Sequence, residues 1–153
     1  ADSLVTSLQA SNKKVICYFS AGSYENWRSD IDSFNPTDLG NFLDGWPDEQ
    51  WLDIRSSNVM DIMKARLDLA VQKGCDGVEP DNVDGYINDS GFPLTAEDQL
   101  TFNRSLAEEA HSRNLSIGLK NDLDQIDVLV DYFDFSVNEQ CFEFDECSSL
   151  TLL

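Results

Sequence analysis

Strands and helices alternate along this sequence, which predicts an α/β domain of the TIM (β/α)8-barrel type built on a parallel sheet. Three observations carry the prediction. Five short apolar segments are separated by stretches with helical spacing. The first of them runs into SAGS, which has neither the GxGxxG pattern nor the Walker spacing that a nucleotide-binding open sheet places there. Polar residues gather at the C-terminal end of every predicted strand: Ser20 with Ser23, Asp53 with Arg55, Asp81 with Asn82, Lys120 to Asp122, and Asn138 to Gln140. A doubly wound sheet fits the alternation too, but a barrel collects functional groups on that face.

The elements follow in order. Leu4, Val5 and Leu8 give a short helix over 3–11. VICYFS (15–20) is a near-continuous apolar run, as expected of a strand buried on both faces. AGSYENWRSD is a turn-rich loop, and WLDIR (51–55) reads as the second strand. Val59, Ile62, Met63, Leu67, Ala70 and Val71 then recur at helical spacing, with Gly74 as the stop. DGVEP is the third strand. Thr95 opens TAED, a capping-box-like start with Asp in place of Glu, before a helix with Phe102, Leu106 and Ala110 on one face. LSIGLKND (115–122) is the fourth strand, a helix around 123–131 buries Ile126, Leu129 and Val130, and FDFSVNEQC (133–141) is the fifth.

Residues 1–153 are enough for a single domain with a real core. No apolar run reaches the length of a membrane span. Ten basic residues face 29 acidic ones, for a net charge of -19, which repels nucleic acid and attracts cationic partners such as polyamines, amino sugars and metal ions. Cys17, Cys75, Cys141 and Cys147 form no CxxC pair, and His111 is the single histidine, which argues against structural zinc. Cys141 and Cys147 could close a small loop, and Cys17 and Cys75 could pair if their strands are neighbours. The even cysteine count, with sequons at Asn88, Asn103 and Asn114, predicts a secreted, extracellular protein. His111, late in a helix, reads as exposed and structural.

The densest chemistry lies in GCDGVEPDNVDGY, from residue 74. An EF-hand reading fails, because setting Gly85 at the sixth position puts Pro80 at the first and Gly91 at the twelfth. A carboxylate at the end of a buried strand is costly unless it is paired or functional. Asp81 holds that place. Glu139, at the end of the fifth strand, is its partner, with one strand between them. Next-but-one strands lie roughly 10 Å apart. Two inward-leaning carboxylates then approach to about 5–9 Å, the range of glycosidase acid pairs. No metal or cofactor is required.

VICYFSAGSYENWRSD, GWPDEQWLDIRS, GCDGVEPDNVDGY, GLKND and FSVNEQCFEFDEC together resemble glycoside hydrolase family 114, the endo-α-1,4-polygalactosaminidases, across nearly the whole chain. The resemblance implies a TIM barrel that hydrolyses α-1,4-linked galactosamine polymer, a cationic polysaccharide found in fungal exopolysaccharide. It implies Asp81 as the nucleophile of a retaining mechanism and Glu139 as the general acid/base, at the ends of barrel strands four and six. The carboxylate surplus then attracts the polymer. Further substrate-binding candidates are Tyr24 and Trp27 after the first strand read here, Asp53 beside Arg55, and Asn82, Asp84 and Tyr86 in the loop after Asp81. Lys120, Asn121, Asp122 and Asn138 complete them, with Glu79 as a reserve nucleophile. Against the family pattern the five strands match barrel strands two to six, so the expectation is an incomplete barrel. Two other readings use the same residues: a non-catalytic carbohydrate-binding barrel fragment and an acidic cation-binding protein.

Overall fold

The computed structural model describes residues 2–139. After helix α1 (Asp2–Ala10) come strands β1 (Ile16–Ser20), β2 (Ser23–Glu25), β3 (Leu39–Leu43) and β4 (Trp46–Leu52), then helix α2 (Ser57–Gln72) and strand β5 (Gly77–Asp81). Helix α3 (Ala96–His111), strand β6 (Ser116–Lys120), the short helix α4 (Ile126–Leu129) and strand β7 (Phe135–Val137) complete the order. Two sheets result. One is parallel, in the order β1-β5-β6-β7, and the other is antiparallel, in the order β2-β4-β3. The parallel sheet with its helices is the expected arc of a barrel.

The main departure is the stretch 51–55. It does not enter the parallel sheet, because β1 takes β5 as its direct neighbour, with Ser20 opposite Asp81. Trp51 and Leu52 instead end β4, which pairs antiparallel with both β2 and β3. The Asp44–Gly45 turn folds β3 back onto β4, and a tight turn joins only antiparallel strands. The parallel arc among the described residues therefore has four strands.

Side chains alternate across the parallel sheet. Val78, Ile117 and Leu119 point outward and are fully buried with Val59, Met63 and Leu67 of α2 and Leu106, Ala107 and Ala110 of α3. The inner face is more open: Ile16 and Tyr18 are 42% and 45% exposed, so β1 is not buried on both sides as its apolar run suggests. Val71 also turns to solvent, off the apolar stripe of α2.

Local capping matches the sequence. Asp98 N donates to Thr95 Oγ1 at 3.1 Å and Thr95 N donates to Asp98 Oδ2 at 2.9 Å, so Asp completes the box at the start of α3. Before α4 lies only a 3-10 turn, Leu123–Gln125, so the expected helix over 123–131 is much shorter. Two acids fasten the strand starts. Asp76 Oδ2 accepts from Val15 N, and Asp134 Oδ2 accepts from Ile117 N, each at 2.8 Å. His111 Nε2 lies 2.8 Å from the same Asp134 oxygen, at the exposed end of its helix.

A disulfide joins Cys17 in β1 to Cys75 just before β5, across neighbouring strands. The suggested Cys141–Cys147 pair and Gln140 lie outside the described residues. Asn88 and Asn114 are exposed, whereas Asn103 is fully buried, so a glycan at Asn103 is incompatible with this packing.

Candidate active site

The C-terminal ends of β1, β5, β6 and β7 meet the antiparallel sheet around an open cleft of about 640 Å³. Asp81 stands on its floor. Its Oδ2 accepts from Tyr18 OH and its Oδ1 from Asn82 N, both at 2.8 Å, so the carboxylate has a fixed orientation. Burial, followed by the hydrogen bond to Asp81 and then its charge, pushes the Tyr18 phenol well above its usual range, which keeps it a donor. The Asp81 carbonyl also accepts from Ala21 N at 3.0 Å and Gly22 N at 3.2 Å, tying the loop after β1 to the end of β5. A Cβ on Gly22 would overlap the Asn82 carbonyl, so only glycine permits this approach.

Asn82 sits in the left-handed region, at φ 59°. That conformation suits Asn and returns its side chain toward β1. Asn82 Nδ2 donates to Ser20 Oγ at 2.9 Å and Ser23 Oγ at 3.1 Å. Ser23 in turn donates to Glu49 Oε2 at 2.9 Å. Glu49 lies opposite Glu25 across the β2–β4 pair. Arg28 answers Glu25 with two N–H groups, at 2.9 and 3.3 Å. Burial, with the nearby charges of Glu25 and Asp81, raises the Glu49 pKa against the pull of Ser23.

On the opposite side Lys120 takes a central place. Its Nζ lies 2.9 Å from Glu79 Oε1 and 3.1 Å from Glu139 Oε1, and its side chain is only 8% exposed. Burial acts to lower the Lys120 pKa, but the Glu79 and Glu139 bonds and the Asp81 charge outweigh it and hold the ammonium protonated. Glu139 is 63% exposed at the mouth, and its backbone N donates to Asn121 Oδ1 at 3.2 Å. Asn121 and Asp122 both have left-handed backbones, at φ 53° and 51°. Pro80 has no N–H to donate, and the β5–β6 pairing stops at Val78 with Ile117. Glu79 and Lys120 lie beyond that last rung.

Behind the loops lies a second acidic layer. Asp122 is buried, with Oδ2 accepting from Asn103 Nδ2 at 3.0 Å and Oδ1 lacking a hydrogen-bond partner. Burial and the Asp84 charge push Asp122 up to about 8, against the pull of Asn103. Burial, the Asp81 charge and more weakly Glu139 push Asp84 up to about 6. Burial and the charge of Asp122 raise the Tyr86 phenol to about 12. Unfolded carboxyls titrate at about 3.9, so above that pH the folded chain holds protons that the unfolded chain has lost. Folding is therefore favoured at low pH, and this contribution declines as pH rises through about 8. The melting temperature is expected to fall between about pH 5 and 8.5, and less steeply in Asp122→Asn. Equal slopes in the two proteins would remove Asp122 as the cause.

Of the candidates named from the sequence, Trp27, Asp81, Asn82, Asp84, Lys120, Asn121 and Glu139 line the cleft. Glu79 lies beside it through Lys120. Tyr24, Asp53, Tyr86, Asp122 and Asn138 are not part of the lining. Tyr24 packs edge-on against Phe34 at 5.5 Å between ring centroids, and Asp53 is engaged by Arg55 Nε at 2.8 Å and Nη2 at 3.0 Å. Sequence reasoning missed Tyr18, Glu25, Trp46, Glu49 and Trp51, which also line the cleft. Tyr18 was legible from alternation in ICYFS, which puts it on the face of Ser20. The others depend on the antiparallel sheet. Among the described residues no group of three or more His, Cys, Asp or Glu is placed to hold a metal ion, and no helix is long and apolar enough to cross a membrane.

Comparison with known proteins places these features in context. The model of glycoside-hydrolase family GH114 matches residues 1–152. A crystal structure of Aspergillus fumigatus Ega3 in complex with galactosamine is 55% identical, with a TM-score of 0.97, over 99% of this chain and 60% of that one. The present chain thus spans 60% of the length of that relative. The glycoside hydrolase domain of PelA from Pseudomonas aeruginosa is similar in fold, with a TM-score of 0.68 at 14% identity, over 90% of this chain and 55% of that one. Eubacterium rectale Amy13B gives a TM-score of 0.69 at 13% identity, over 92% of this chain and 34% of that one. No curated protein sequence matches the chain.

Proposed function

The chain belongs to glycoside-hydrolase family GH114, and from that premise we propose that it is a secreted, retaining endo-glycosidase acting on α-1,4-linked galactosamine polymer. The observation that carries the proposal is the placement of Asp81 and Glu139 on one cleft, at the ends of strands separated only by β6. In this reading an Asp81 oxygen attacks the anomeric carbon, and the bond from that carbon to the leaving sugar breaks. Glu139 acts from its protonated form, with the Lys120 ammonium then held by Glu79, and gives its proton to the departing oxygen. A water then attacks the same carbon, yields its proton to Glu139 and frees Asp81. Tyr18 and Asn82 N hold the nucleophile in one orientation, which lowers the cost of reaching the reactive geometry. Lys120, divided between Glu79 and Glu139, fixes the position of the acid/base.

A cationic substrate suits the charge of the cleft. Glu25, Asp44, Glu49, Asp81, Asp84 and Glu139 line it, against Arg28 and Lys120, and both cations are already paired with carboxylates. The galactosamine in the crystal of the 55%-identical Ega3 supports the same sugar class. The Cys17–Cys75 bridge supports an oxidising, extracellular setting. The test is release of reducing ends from polygalactosamine. Hydrolysis of the deacetylated polymer supports the proposal. Binding without any release of reducing ends would instead favour a carbohydrate-binding role for the same cleft.

A further inference from the structure

The tip of the β3–β4 hairpin carries apolar side chains that the proposed chemistry does not use. Phe42 is 60% exposed and Trp46 is 62% exposed. Both line one groove at the tip, and exposed aromatic side chains grouped around a groove mark a binding surface. They lie on either side of the two-residue turn in which Leu43 pairs with Trp46, and Gly45 at φ 78° adopts a left-handed conformation without a Cβ penalty. The tip encloses an open groove of about 470 Å³ lined by residues 42–47. Leu43, Asp44 and Trp46 line both this groove and the catalytic cleft, so the two are continuous. Asp44 is exposed and makes no ion pair or hydrogen bond among the described residues.

We propose that the hairpin tip is a further sugar subsite, in which Phe42 stacks on a galactosaminyl ring of the bound polymer and Asp44 pairs with that ring's 2-ammonium group. This rests on the galactosamine reading of the cleft and extends it. An amino sugar has an apolar C–H face and, while its amine is protonated, a positive charge. An exposed aromatic ring beside an unpaired carboxylate matches both, with the ring quadrupole adding attraction for the cation. A neutral sugar would find the ring and leave Asp44 unanswered. The continuity with the cleft argues for another unit of the same chain as the occupant. Cleavage inside a polymer requires contacts beyond the scissile bond, and the hairpin supplies them from outside the parallel sheet.

The test is titration calorimetry on the Asp81→Asn protein, in which turnover is silenced, with galactosamine oligomers of increasing length. Affinity is expected to rise once the chain is long enough to reach the hairpin. Adding Phe42→Ala should remove about fivefold to tenfold of the long-chain affinity, the scale of one lost stacking contact, and leave the shortest binding oligomer unchanged. Asp44→Asn should weaken the dependence of long-chain affinity on salt. Phe42 is largely exposed, so its truncation leaves the core intact. An undiminished long-chain gain in Phe42→Ala overturns the hairpin subsite alone. Failure of every galactosamine chain to bind the parent protein overturns both the subsite and the galactosamine reading beneath it.

Discussion

Asp81→Asn is expected to reduce hydrolysis of galactosamine polymer on the order of 10⁴-fold or more, the scale seen when a nucleophile that acts within a unit is lost. The change removes the negative charge and keeps the shape. The amide oxygen can keep the bond from Asn82 N, and the Tyr18 hydroxyl, which now donates to Oδ2 at 2.8 Å, can turn to accept from the amide nitrogen instead. The carbonyl contacts to Ala21 N and Gly22 N involve backbone alone and are untouched. The loss should therefore fall on kcat, with substrate binding largely retained, because the missing interaction forms only as the anomeric centre is attacked. Reducing-end release by the two proteins, with circular dichroism to confirm folding, is the measurement. Activity within tenfold of wild type would remove Asp81 from the nucleophile's role.

The second large effect concerns stability. Replacing Cys17 and Cys75 by Ala, or reducing their bond, is expected to cost about 4 kcal/mol, the chain-entropy value for a bridge between residues this far apart. The sequence separation is 58, so the bond closes a long loop that includes the whole antiparallel sheet and α2. It also fastens β1, which ends the described parallel sheet and has only β5 as a partner. For a domain of this size the loss corresponds to a fall in melting temperature of roughly 10 °C. Melting with and without reductant, alongside a thiol count, gives the result. Complete reduction with an unchanged melting temperature would show that the bridge contributes nothing to the fold.

Several features were legible because they are local. The helix beginning after Thr95 carries its start signal within four residues, and Asp98 replaces Glu in the capping box as read. The helices at 57–72 and 96–111 and the strands at 16–20, 77–81 and 116–120 follow from periodicity and from Gly74 as a stop. The pairing of Cys17 with Cys75 depended on the two strands being neighbours, and they are. The stretch 51–55 misled because a short apolar run has the same appearance in a parallel or an antiparallel partner. One partner, 23–25, is distant in sequence, whereas the other, 39–43, lies just across the Asp44–Gly45 turn, a local hairpin signal that the apolar run at 51–55 masked. Glu25, Glu49 and Trp46 stayed hidden for the same reason.

The sequence by itself determined the parallel α/β arc, the acidic character, the family resemblance, and the strand-end position of Asp81. Those depend on residue type, spacing and short-range backbone preference. Tertiary structure alone decided that Tyr18 grips Asp81, that one buried ammonium on Lys120 serves both Glu79 and Glu139, and that Asp122 faces Asn103 away from the cleft. It also brought a hairpin from outside the parallel sheet to the cleft wall. Each of these joins side chains from separate elements, and hydrogen bonding and desolvation depend on distances in space that spacing along the chain does not encode.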